Sequence, residues 1–127
     1  MKTPRSRLLG ALGAVSAVAV LVPVAAVATV GTTAATKTTR LYDVAPGFTP
    51  TALTVKAGTR LVWKADRTNT SNHTVTLDSD YAPRKARFFD SREIGPGRSY
   101  SRVLTVKGRY RLYCKTHGGM YQDVTVR

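Results

Sequence analysis

From residue 40 onward the chain alternates apolar and polar positions over short stretches, each interrupted by Gly, Pro, Asn or Asp. A period of two over four to eight residues is the mark of a half-buried β-strand. The pattern predicts strands over residues 40–44, 51–55, 60–64, 73–77, 87–89, 100–106, 110–114 and 123–126. Ala57-Gly58, Gly95-Pro96-Gly97 and Lys107-Gly108 supply turn chemistry between them. No window past residue 30 holds an apolar stripe at helical spacing. Seven or eight short strands therefore predict an all-β, antiparallel sandwich or barrel. Trp63 and the Phe88-Phe89 pair are expected in or near its core. Tyr110 and Tyr113 alternate with Arg109 and Arg111 as a half-buried strand does, which explains the interleaving without nucleic acid.

The N-terminal segment follows different rules. Lys2, Arg5 and Arg7 precede an uncharged apolar run over residues 8–22, Pro23 breaks it, and Ala26-Val27-Ala28 has the A-x-A cleavage form. That order is the grammar of a secretory signal peptide over residues 1–28. The uncharged run reaches Val30, long enough for an uncleaved membrane anchor as the rival reading. Both readings place the remainder outside the cytoplasmic membrane: periplasmic, extracellular or attached to the cell envelope. Residues 29–39, rich in Thr and Ala, are expected to be a flexible tether. Residues 40–127 are then a single domain with one core.

Charge narrows the partners. Three of the 20 Lys and Arg lie in the first seven residues, so the remaining 17 face 7 Asp and Glu, a net charge near +10. An exported chain rarely meets nucleic acid, so the expected partners are an acidic redox protein or an anionic envelope surface. The domain is expected to act as a monomer. Cys114 is the only cysteine and cannot pair within the chain. An unpaired thiol in an oxidising compartment is a liability unless a metal occupies it, and structural zinc usually takes paired cysteines.

The segment from Tyr113 to Met120 reads C-x2-H-x2-M and offers Cys114, His117 and Met120 within seven residues. The only other histidine, His73, opens a predicted strand after the polar loop over residues 66–72. Two imidazoles, one thiolate and a weak thioether make the trigonal set typical of blue copper. A sandwich gathers its loops at two ends, so both ligand loops can meet at one of them. His73, Cys114, His117 and Met120 are the candidate metal ligands, and one copper ion is the expected cofactor.

Residues 40–127 resemble a cupredoxin of the plastocyanin/amicyanin type. The resemblance is carried by Phe48-Thr49-Pro50, Leu53-Thr54-Val55-Lys56-Ala57-Gly58-Thr59, Leu61-Val62-Trp63, Asn72-His73-Thr74-Val75-Thr76, Phe89-Asp90-Ser91 and Ile94-Gly95-Pro96-Gly97. The stretch from Gly108 to His117 is its most specific part. It implies a Greek-key β-sandwich of about eight strands around one type 1 copper. His73 and His117 would bind through nitrogen, Cys114 through its thiolate and Met120 as the axial thioether, with His117 as the electron port. Three positions depart from the pattern. Gly118 follows His117 where relatives often have Pro, Gln122 stands where a Gly is common, and Thr74 replaces an Asn that ties the ligand loops together.

The resemblance implies a one-electron carrier. Enzyme chemistry is not expected, because both histidines are committed and none remains for a catalytic copper centre; no G-x-S-x-G or phosphate-binding loop is present. The alternative is a copper carrier or scavenger in the envelope, although the His- and Met-rich tracts of such proteins are missing.

Overall fold

The computed structural model describes residues 10, 13–29 and 31–127. Lys2, Arg5, Arg7 and the start of the apolar run lie outside the described residues. The chain divides into a unit over Met1–Gly31 and a second over Thr32–Arg127. In the first, residues 13–29 form no regular element and are exposed. Among the described residues, no helix is long and apolar enough to cross a membrane.

The second unit is a sandwich of two four-stranded sheets. Its strands are β1 (Thr36–Leu41), β2 (Phe48–Thr49), β3 (Ala52–Val55), β4 (Arg60–Ala65), β5 (Thr76–Leu77), β6 (Ser99–Val103), β7 (Gly108–Tyr113) and β8 (Tyr121–Val126). One sheet runs β2-β1-β4-β6 and the other β3-β8-β7-β5. Two pairs, β1 with β4 and β3 with β8, are parallel, so the sandwich is mixed rather than wholly antiparallel. Sequence periodicity reports which face a residue occupies and is silent on strand direction.

Alternation places the core. Leu61, Trp63 and Ala65 of β4, Tyr110 and Leu112 of β7, and Val124 and Val126 of β8 all point inward and are buried. Each large aliphatic side chain removed from water here contributes about 1.5–3 kcal/mol. Cys114 continues the phase of Tyr110 and Leu112 one step beyond the end of β7, which directs its sulfur into the sandwich. Gln122 occupies an inward position of β8 with no exposed surface. Its amide oxygen accepts from Trp63 Nε1 at 2.7 Å and its amide nitrogen donates to the Pro50 carbonyl at 2.7 Å. The departure at Gln122 is thus a satisfied polar bridge inside a strand, with no turn there to need a glycine.

Several boundaries differ from those expected. Thr36–Thr39, expected in the tether, belong to β1 and pair residue by residue with β4, so the sheet begins before residue 40. The first strand stops at Leu41, and residues 42–47 form a loop. Residues 87–89 form no strand; the next residue, Asp90, meets β5 through an isolated bridge to Thr76 and accepts from the Thr76 hydroxyl at 3.4 Å. Phe89 is buried, but its neighbour Phe88 is 59% exposed. Adjacent residues of an extended chain point to opposite sides, so one of the pair must face solvent.

Candidate metal centre

Strand directions decide which loops share an end. The C-terminal ends of β1, β4 and β7 and the N-terminal end of β8 lie together. The loops over residues 42–47, 66–75 and 114–120 therefore converge there. His73 is fixed by a two-way backbone bridge to Ile94, with N···O distances of 3.1 and 2.7 Å. Cys114 and Met120 close the β7–β8 loop: the Cys114 amide donates to the Met120 carbonyl at 3.1 Å, and the Met120 amide to the His117 carbonyl at 3.4 Å.

The arrangement brings His73, Cys114 and His117 together, with one ligand atom of each within 4.8 Å of the others. Nδ1 of His117 lies 3.4 Å from Cys114 Sγ and Nδ1 of His73 lies 3.9 Å from it. The two rings stack at 4.6 Å between centroids. His73 is fully buried, Cys114 nearly so, and His117 is half-buried. Two imidazole nitrogens converging on one thiol sulfur fit copper in both oxidation states. Met120 is also buried, and its thioether rests against Gly47. A Cβ at Gly47, whose φ is +82°, would lie 2.5 Å from Met120 Cγ and 2.6 Å from Sδ. Only glycine lets the 42–47 loop cover that sulfur.

The thiol is prepared for ionisation. Burial alone would raise its pKa, but hydrogen bonds outweigh this and bring it down to about 6. The largest of them come from the Thr116 hydroxyl and the Thr74 amide. The Thr74 amide donates to Sγ at 3.3 Å, and Thr116 Oγ1 lies 3.2 Å from it. Thr74 does a second job: its hydroxyl accepts from the Lys115 amide at 2.8 Å. Thr74 thus joins the two ligand loops.

Two residues that the sequence reading did not single out close the outer side of the site. Asp43 Oδ1 lies 3.0 Å from His73 Nε2 and accepts from the Ser71 hydroxyl at 2.6 Å. Asp43 Oδ2 accepts from the Thr70 amide at 2.5 Å and its hydroxyl at 3.1 Å. Ser71 Oγ lies 3.1 Å from His117 Nε2. These bonds, the Ser71 hydroxyl first and the Thr70 amide next, hold the Asp43 carboxyl far below the usual carboxylate range. The polarity of the 66–72 loop was the available signal. The sequence reading placed Asp43 in a strand, which hid it.

A two-sheet Greek-key sandwich with two imidazoles and a thiol gathered at one end is a cupredoxin. The copper binding proteins of the plastocyanin/azurin family match residues 35–127, and the chain belongs to that family. Plastocyanin A/B of Petroselinum crispum is 34% identical over 87 residues, which cover 62% of this chain and 86% of that protein. Among solved structures, pseudoazurin from Methylobacterium extorquens AM1 aligns with a TM-score of 0.60 at 23% identity, over 72% of this chain and 74% of that one. A purple cupredoxin from Nitrosopumilus maritimus aligns at 0.58 and 22% identity, over 71% and 98% respectively. The two structures establish the likeness of fold. Copper is the cofactor of this family.

Proposed function

We propose that this protein is an exported one-electron carrier. His73 Nδ1, Cys114 Sγ and His117 Nδ1 would hold one copper ion, with the Met120 thioether as a further, weak donor. The convergence of both Nδ1 atoms on one buried sulfur carries the reading. Bound copper supplies the one-electron couple. The chain supplies rigidity: His73 is bridged to Ile94, the ligand loops are tied through Thr74, and Gly47 seats Met120. A site held in one shape by its own hydrogen bonds rearranges little when charge changes. His117 stands at the rim of a shallow depression lined by Tyr42, Val44, Ala45, Pro46 and Gly118, which makes its ring edge the exit for electrons.

Both histidines serve the metal, so the reading is a carrier and not an enzyme. The net charge near +10 supports an acidic redox partner or an anionic envelope surface and argues against a basic one. The apolar run before the domain supports export, and the domain acts as a monomer. No observation favours the copper-scavenger alternative.

A redox titration of the copper-loaded chain tests this. One reversible one-electron couple at one copper per chain is expected. Met120→Leu should raise its potential, and Met120→Gln should lower it, because an amide oxygen favours Cu(II) over a thioether. Release of copper on reduction would make the protein a copper carrier instead.

A further inference from the structure

We propose that Asp43 is a positioning residue that fixes the ring orientation and tautomer of both imidazoles, His73 directly and His117 through Ser71. The proposal rests on the ligand reading above and concerns what stands behind the ligands.

The argument is a count of protons. Asp43 accepts four hydrogen bonds: the Thr70 amide and hydroxyl on Oδ2, and Ser71 Oγ and His73 Nε2 on Oδ1. An ionised carboxylate only accepts. His73 Nε2 must therefore carry the proton across its 3.0 Å contact, which leaves Nδ1 as a lone pair facing the sulfur. Ser71 has a single hydroxyl proton, and the 2.6 Å bond to Asp43 uses it. Its oxygen then meets His117 Nε2 at 3.1 Å only as an acceptor, so that nitrogen is also protonated; in the neutral ring Nδ1, which lies 3.4 Å from Cys114 Sγ and 3.1 Å from Thr116 Oγ1, is then left as a lone pair. One carboxylate thereby sets both rings in the same sense, although they lie forty-four residues apart.

Asp43 is itself held in place. Its amide donates to Asn69 Oδ1 at 3.1 Å, and Asn69 Nδ2 donates to the Leu41 carbonyl at 2.9 Å. The 42–47 loop that carries Asp43 also carries Gly47, which sits against Met120. One loop thus braces two imidazoles from behind and covers the thioether. A carboxylate bonded to the outer nitrogen of an imidazole makes the inner nitrogen a better donor, and loss of such a partner commonly costs ten- to a hundredfold in metal affinity. The negative charge favours the more positive metal, so Cu(II) gains more than Cu(I).

The test has two readouts. In the metal-free chain, in buffer basic enough to keep both rings neutral, nitrogen-15 NMR should find His73 and His117 both protonated at Nε2. Ser71→Ala should release His117 into a tautomer mixture and leave His73 unchanged, and Ser71→Thr should restore the parent pattern. Asp43→Asn should disturb both rings. In the copper-loaded chain, Asp43→Asn should weaken Cu(II) about tenfold more than Cu(I), seen as a rise in potential. Ser71→Ala should give a smaller rise. Unchanged tautomers in Ser71→Ala, or equal disturbance of both rings by it, overturns the proposal, whether or not Asp43→Asn folds. The NMR readout needs no copper, so a failure of the copper reading shows separately as a parent protein without a type 1 spectrum.

Discussion

The two ends of the sandwich manage charge in opposite ways. At the ligand end, residues 40–47, 64–75, 90–98 and 114–120 carry six cations, Arg40, Lys64, Arg67, Arg92, Arg98 and Lys115, and four anions, Asp43, Asp66, Asp90 and Glu93. All four anions are engaged: Asp43 by Ser71 and Thr70, Asp66 by Thr68, Asp90 by Lys115, Glu93 by Asn72. At the far end, the turns over residues 56–59 and 104–107 meet through a bond from the Gly58 amide to the Leu104 carbonyl. Lys56, Arg60, Lys107 and Arg127 lie in or beside those turns, which hold no acidic side chain. The ligand end thus mixes both signs, with each anion engaged, while the far end carries cations alone. A loose cation beside a metal that gains charge on oxidation would disfavour the oxidised state; at the far end screening makes the same cation cheap.

The sharpest way to break this contrast uses one glycine from each end. Gly47 and Gly58 both have positive φ, +82° and +88°, but a Cβ meets Met120 at Gly47 and open space at Gly58. Gly58→Ala should cost about 1–2 kcal/mol in backbone strain. Gly47→Ala should cost roughly 2–5 kcal/mol, since overpacking adds 1–3 kcal/mol to the same strain. Thermal unfolding measures both. Only Gly47→Ala should also change the potential. Equal losses would mean that the 42–47 loop does not press on Met120.

A second prediction concerns the thiol. The folded pKa of Cys114, about 6, lies below its ordinary value of 9.0, so ionisation stabilises the metal-free fold. That contribution is complete above the unfolded value and disappears as pH falls through about 6. Thiolate absorbance should follow the same titration. Thr116→Val removes the strongest of the hydrogen bonds that lower the pKa and should move the midpoint upward. A midpoint that stays put would transfer the effect to the Thr74 amide.

Which parts of this were legible in sequence follows from how local each signal is. The strands β3, β4, β7 and β8 alternate strictly, and Cys114, His117 and Met120 sit in one loop, so both could be read directly. By contrast, β1 leaves Thr36–Thr38 exposed and owes its existence to pairing with β4, more than twenty residues away. A Thr-rich run with one side on a neighbouring strand looks like a tether until the neighbour is known. The contacts of Asp43 with Ser71 and His73 likewise span 28 and 30 residues. No spacing rule encodes them.

Smaller effects are expected from surface charge. Lys115, beside the port, is paired with Asp90. Asp90→Asn should free that cation and speed electron exchange with an acidic redox protein at low salt, with the gain lost as salt rises. Stopped-flow rates against ionic strength measure this. Lys56→Glu, at the far end, should change the same rates least. If it slows exchange as much as Asp90→Asn speeds it, the partner docks away from the port.

The central claim is that Cys114 and the two imidazoles hold copper as one type 1 centre, and the optical spectrum of the Cu(II)-loaded chain tests it most directly. The account predicts an intense sulfur-to-copper charge-transfer band in the orange-red region, at one copper per chain, abolished in Cys114→Ser. A weakly coloured copper adduct whose spectrum survives in Cys114→Ser would contradict it.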